Sequence, residues 1–176
     1  MNLGLNSDEV RLVDYTPEWN DEFIRVKNKL LESITLDENR IQHIGSTAIK
    51  GMAAKPIIDI LVGVDDLNRV DKALFKDFSK SGFLRLKVER PGEIVLAKFT
   101  DDTYKVKTHY IHLVEYQKKL WNNLIFFKNY LNSDEAARKH YLEIKLEYLK
   151  ISSTGVNDYT DFKEEFVKEI LKKRKG

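Results

Sequence analysis

Residues Gly45, Ser46 and Thr47 close one apolar run, and a lone acid interrupts the next, Pro56-Ile57-Ile58-Asp59-Ile60-Leu61-Val62. A glycine after a strand lets the backbone turn tightly and approach a ligand, while Ser46 and Thr47 offer N–H and hydroxyl donors to a phosphate. The same pair also serves as a plain turn in many chains. Asp59 carries more information. An ionised carboxylate in an apolar strand is costly unless it is paired or holds a cation. Ile57, Asp59 and Leu61 share one strand face, so the partner has to come from a neighbouring strand or from the Gly-Ser turn. A catalytic or metal-binding role satisfies that demand; so does bonding to backbone amides or to Lys55.

A second polar cluster lies in Thr108-His109-Tyr110-Ile111-His112-Leu113-Val114-Glu115. Two histidines three apart on a strand point to opposite faces and cannot ligate one ion. His112 goes with Tyr110 and Val114, and His109 with Ile111, Leu113 and Glu115. Lys98, within Val95-Leu96-Ala97-Lys98-Phe99, either brings an ammonium to a phosphate or lays its stem along the sheet. His43, just before the turn, reads as structural. Lys50 and Lys55 lack the glycine spacing and the following Ser or Thr of a phosphate-binding P-loop, and no dinucleotide fingerprint occurs.

The elements that must position these residues are legible from periodicity. Val10–Asp14 reads as a short strand. Thr16-Pro17 opens a helix to about Ile34, with Trp19, Phe23, Val26 and Leu30 on one face. Arg40–Ile44 is a strand leading into the turn. Ile57–Val64, apolar on both faces except at Asp59, has the pattern of a central covered strand. Asp65-Asp66 caps a helix through about Lys80, stopped by Gly82. Phe83–Val88, Glu93–Phe99 and Lys105–Glu115 are strands separated by turns at Pro91-Gly92 and Asp101-Asp102. Beyond Gln117 the period is helical. Leu120, Leu124, Phe127 and Leu131 form one stripe, and Ala137, Tyr141, Ile144 and Tyr148 the next, with a break at Asn132-Ser133-Asp134. Ser152–Asn157 is a loop, and Phe162, Phe166 and Ile170 mark a last helix. The expected organisation is one unit, a mixed-sheet part to about residue 116 and a helical part after it.

Composition narrows the function classes. With 30 basic and 28 acidic residues the chain carries +2, which gives no general attraction to nucleic acid or membrane. The basic run Lys172-Lys173-Arg174-Lys175 reads as a solvated helix end. The absence of cysteine excludes disulfides, thiolate zinc sites and cysteine nucleophiles. No window has the length and hydrophobicity of a membrane span and no leader is recognisable, so the expected location is the cytoplasm.

His43–Val62, together with Thr108–His112, Trp121–Tyr130 and the helix Tyr141–Leu149, resembles the GrpB family, which is grouped with the nucleotidyltransferase superfamily. The resemblance implies an α/β fold, a nucleotidyltransferase-like mixed β-sheet flanked by helices with a C-terminal helical part. It also implies Mg²⁺ or another divalent cation, a nucleoside triphosphate and an acceptor. Carried over, Gly45 and Ser46 match the superfamily's turn, and Asp59 matches one of its two strand carboxylates. Ile57 and Leu61 leave the alternate acid missing. Glu115 or Glu93 is the candidate third acid, with His112 or His109 as a substitute ligand. Relatives usually show Arg-Asp before Tyr-Leu, where this chain has Lys128-Asn129 before Tyr130-Leu131.

The expectation is therefore metal-dependent nucleotidyl or phosphoryl transfer to an unidentified acceptor. Asp59, His112 and Glu115 are its catalytic set, Asp59 and His112 its metal ligands, and Gly45, Ser46, Thr47, Lys55, Lys98 and His109 its phosphate-binding set. The alternative is a non-catalytic module that keeps the phosphate pocket and binds a nucleotide or partner protein. An RNA-binding accessory domain draws least support from the charge.

Overall fold

The structure, a computed structural model, describes residues 1–151 and 156–174. Its centre is a six-stranded mixed sheet. Strands β2 (Ile41–Ile44), β3 (Ile58–Val64), β6 (Val106–Glu115), β5 (Glu93–Phe99) and β4 (Leu84–Arg90) lie in that order, and the short β1 (Leu5–Asn6) pairs with the start of β6. Only β3 and β6 are parallel. Between them the chain makes a helix, α2 (Lys72–Ser79), and the β4–β5 hairpin. That connection places the two most polar-in-apolar strands side by side at the middle of the sheet.

The two faces are covered differently. Helix α1 (Glu18–Ser33) buries Trp19, Phe23, Val26 and Leu30 against Ile58, Ile60 and Val62 of β3 and Ile111 and Leu113 of β6, and Phe78 of α2 joins the same core. Burial of side chains this large contributes about 1.5–3 kcal/mol each, which fixes this face as the main core. On the opposite face Ile44, Leu61 and Val114 pack on Trp121 of α3 (Lys119–Ser133). Gly63 permits that approach, because a Cβ there would come within 2.9 Å of Tyr116 and 3.0 Å of Trp121. Helices α4 (Glu135–Ile151) and α5 (Val156–Leu171) complete the cover, with Tyr141 stacked on Phe166 and both packed with Ile49 and Met52 from the segment after the Gly-Ser turn.

The expected mixed sheet flanked by helices is thus the observed architecture. Two local expectations change. Val10–Asp14 contributes a single bridge, Val13 to Ala54, and the N-terminal strand is Leu5–Asn6 instead. Asp66 caps a single turn at Leu67–Arg69, and Asp71 caps α2 by accepting from the Leu74 amide. At the α3–α4 junction Asn132 is a clasp, its side chain accepting from the Lys50 N–H at 2.9 Å and donating to the Ala48 carbonyl at 3.0 Å. The loop from Ser152, the Phe162 side chain and Lys175 lie outside the described residues. Among the described residues no helix is long and apolar enough to cross a membrane.

Candidate functional site

The register decides which side chains meet. Ile44 pairs with Asp59, Asp59 with Tyr110, Leu61 with His112, and His112 with Val95. Odd positions of β3 therefore share a face with even positions of β6 and odd positions of β5. On the α3–α5 side of the sheet this aligns Asp59, His112 and Glu93 on three adjacent strands. The Nε2 of His112 lies 3.0 Å from Asp59 Oδ1, and its Nδ1 hydrogen-bonds Glu93. Burial alone would lower the affinity of His112 for its second proton. The hydrogen bonds and charges of the two carboxylates outweigh it and raise its pKa from 6.5 to about 9. Glu93 responds in kind: burial is the largest single influence and pushes it up, but the bond to His112 and the charges of His112 and Arg90 together outweigh it, and it ends below 4.5.

The Gly-Ser turn closes over this row. Gly45 has φ +76°, and a Cβ there would stand 2.6 Å from Asp59 Oδ2. Glycine is required for conformation and for space together. So Asp59 has one oxygen held by His112 and the other lying against the open side of Gly45. Thr47 turns inward, its hydroxyl 2.9 Å from His43 Nε2, and His43 stacks on Phe23. This pair is structural. Ser46 faces the helices, and Lys145 of α4 donates to its Oγ at 2.7 Å and to the Ala53 carbonyl at 3.1 Å, with its ammonium 4.6 Å above the Tyr141 ring.

Lys145 is only 1% exposed. Its pKa is held well below 10.5 by burial and then by the charges of Lys163 and Lys55. Lys55 in turn is brought to about 8 by burial and by Lys163, with Asp59 opposing. Lys145 thus bonds Ser46 within the fields of Lys55 and Lys163, and Asp59 acts in turn on Lys55. Sequence reading passed over Lys145, although it was findable. It stands four after Tyr141 and three before Tyr148, on the stripe that the helix buries.

The remaining expected site residues fall elsewhere. Glu115 points to the α1 face and accepts from the Leu67 amide at 3.1 Å, so it does not join Asp59. His109 is buried on that same face, donating its Nε2–H to Glu22 at 2.9 Å while Nδ1 accepts from Thr108. Lys98 also lies on that side, packed near Gly82 and within the fields of Arg25 and Glu22. Among the expected residues, then, the structure brings together Asp59, His112, Gly45, Ser46 and Lys55 with Glu93, one of the two candidate third acids, and it adds Lys145.

The donor set also tests the divalent cation. A two-ion site does not fit: Ile57 and Leu61 supply no second carboxylate, and the described residues contain no group of three or more His, Asp or Glu side chains able to enclose an ion. With both ring nitrogens bonded to carboxylates, His112 has no lone pair to offer. A single hard cation that shares its shell with substrate phosphates needs only one or two carboxylates. Asp59 fits that lesser role.

A family model described as GrpB protein matches residues 9–173. The chain belongs to the GrpB family. It is 43% identical over 171 residues to the glutamate-rich protein GrpB of Alkalihalophilus pseudofirmus, covering 96% of this chain and 98% of that protein. It is 29% identical to a UPF0157 protein of Streptomyces coelicolor, over 98% of this chain and 88% of that one. The crystal structure of the conserved protein GrpB from Enterococcus faecalis superposes with a TM-score of 0.76 at 27% identity, covering 93% of this chain and 98% of that structure. These likenesses make the mixed sheet with its helical cover a family architecture.

Proposed function

We propose that this GrpB-family chain binds the phosphates of a nucleoside triphosphate at the Gly45–Ser46 turn and transfers a nucleotidyl or phosphoryl group to an acceptor. One observation carries the reading. A buried ammonium, Lys145, reaches the Ser46 hydroxyl at 2.7 Å, with Lys55 close enough for the two charges to repel each other. Burying an ammonium such as that of Lys145 is unfavourable unless polar groups or an anion compensate it. A triphosphate would be such an anion, and the N–H groups and the Ser46 hydroxyl of the turn suit its oxygens.

Within that reading each residue has a task. Lys145 and Lys55 neutralise phosphate charge, and Ser46 exchanges its bond to Lys145 for one to a phosphate oxygen. Asp59, through the oxygen beside Gly45, would hold one divalent cation, which when bound supplies further neutralisation of the phosphates. His112 fixes the other oxygen of Asp59, and Glu93 fixes His112, so the carboxylate is held in one orientation before the ligand arrives. A triphosphate ligand also places the protein's work in the cytoplasm. The solitary Asp59 favours a second reading, a nucleotide-binding module without turnover.

Thermal melts with each of the four ribonucleoside triphosphates, with and without Mg²⁺, test both readings. Transfer predicts a rise in Tm with nucleotide that grows with Mg²⁺, and Asp59→Asn should remove the Mg²⁺-dependent part. A rise indifferent to Mg²⁺ favours the module, and no rise with any triphosphate overturns the phosphate site.

A further inference from the structure

Between the free edge of β2 and helix α3 lies an open cleft of about 320 Å³, lined by Asn39, Gln42, Tyr116, Trp121, Ile125, Lys128 and Asn129. It belongs to the same sheet face as Asp59. Gln42 is paired with Leu61 and stands two residues before Ile44, the strand partner of Asp59. On α3 the lining residues Trp121, Ile125, Lys128 and Asn129 recur at helical spacing, so one face of the helix builds the wall.

The cleft's chemistry is mixed in a particular way. Its floor is apolar and aromatic, with Tyr116 set edge-on to Trp121 at 4.8 Å and covered on its other side by Arg40. Its rim carries three amide side chains, each able to donate and accept. The Gln42 amide gives one N–H to the Asn39 backbone carbonyl at 2.9 Å, which leaves its other N–H as a donor and its oxygen as an acceptor. Lys128, half-buried, makes no hydrogen bond or ion pair with another described residue. The residue after it is the neutral Asn129. Arg40, by contrast, is already neutralised by Asp65 at 2.8 Å. An apolar wall, a few convergent amides and a cation unpaired among the described residues, at the small end of ligand-pocket volumes, describe a small-molecule site.

We infer that this cleft is a second binding site, for a mononucleotide-sized molecule that joins a planar, hydrogen-bonding ring to one anionic group. Lys128 takes the anion, and the amides of Asn39, Gln42 and Asn129 read the edge of the ring, as such amides do with bases. The floor of Trp121 and Ile125 excludes water beneath it. That the bound molecule is the acceptor of the transfer rests on the function proposed above; that the cleft binds it does not.

The chain has two tryptophans, and the other, Trp19, is buried on the core-facing side of α1. The variant Trp19→Phe therefore makes Trp121 the sole indole reporter. Titration of that variant with AMP, CMP, GMP and UMP should give a saturable change in Trp121 emission with at least one of them. Lys128→Met and Gln42→Ala, made in the same background, should each weaken that binding tenfold or more, and the matching nucleoside without phosphate should bind at least tenfold more weakly. Lys145→Met should leave it within twofold while weakening the triphosphate-dependent rise in Tm. No saturable change with any monophosphate overturns the cleft, as does a change that Lys145→Met abolishes and Lys128→Met spares. Monophosphate binding without any triphosphate effect keeps the cleft and removes the transfer reading. Lys128→Gln repeats the test should Lys128→Met melt below the parent.

Discussion

Strand β6 carries His109 and His112 on opposite faces, and their surroundings drive them in opposite directions. His109 sits in the main core against α1 at 4% exposure, with one carboxylate, Glu22, and that carboxylate is already shared with Arg25. Burial dominates there and lowers its pKa from 6.5 to about 4. His112 sits beneath the helical cover with two carboxylates, Asp59 and Glu93, and rises to about 9. A neutral imidazole passes a hydrogen bond along a core. A charged one between two acids holds both in fixed positions. The face with the single satisfied partner is built for packing, and the face that sets unlike charges beside the buried Lys145 is built for a ligand.

The difference is breakable by pH. On the core side, His109 and the equally depressed His43 are neutral when folded and charge readily when unfolded. Their contribution to stability is therefore present above pH 6.5 and is lost as pH falls toward 4, by roughly 3 kcal/mol each. Urea midpoints across that range should show this slope, flattened in His109→Asn; an unchanged slope in that variant would mean His109 is not the buried neutral group described. Next in size is Gly45→Ala. The positive φ and the 2.6 Å approach to Asp59 predict a loss of about 3 kcal/mol, read as a lower denaturation midpoint. A wild-type midpoint would refute the close approach.

On the ligand side the sign reverses. Because the folded pKa of His112 is raised, its contribution is full below pH 6.5 and is lost as pH climbs through about 9. Its partial exposure screens the effect to about 2 kcal/mol, and His112→Gln should abolish the alkaline loss while retaining the acid one. The smallest effect is Glu115→Gln. It weakens one hydrogen bond to the Leu67 amide, so about 1 kcal/mol of stability should go with no change in nucleotide response. A lost Mg²⁺-dependent shift in that variant would return Glu115 to the site.

Much of this comparison was legible in the residues. Alternation along β6 separated His109 from His112, and apolar residues on both faces of β3 placed Asp59 in a central strand. The glycine before Ser46 marked a tight approach, which proved to be to Asp59 itself. What could not be read was register. Strand parity says which residues share a face within one strand, but only the pairing of Leu61 with His112 shows that Asp59 meets His112 and Glu93 and not Glu115. The same gap misassigned Lys98 and His109 to the phosphate. Thr47 failed for another reason, since the buried His43 claims its hydroxyl. Lys145 was hidden because a lysine on an apolar helical stripe is ordinarily discounted as a stem lying across the surface.

The central claim is that Ser46 and Lys145 form an anion site for nucleotide phosphates. Isothermal titration of the wild type and of Lys145→Met with ATP, CTP, GTP and UTP in Mg²⁺ tests it most directly. The account predicts binding of at least one triphosphate that Lys145→Met weakens tenfold or more, with the variant as stable as the parent because a methionine fills the buried space without a charge. Binding that survives Lys145→Met unchanged, or none with any of the four, would contradict it.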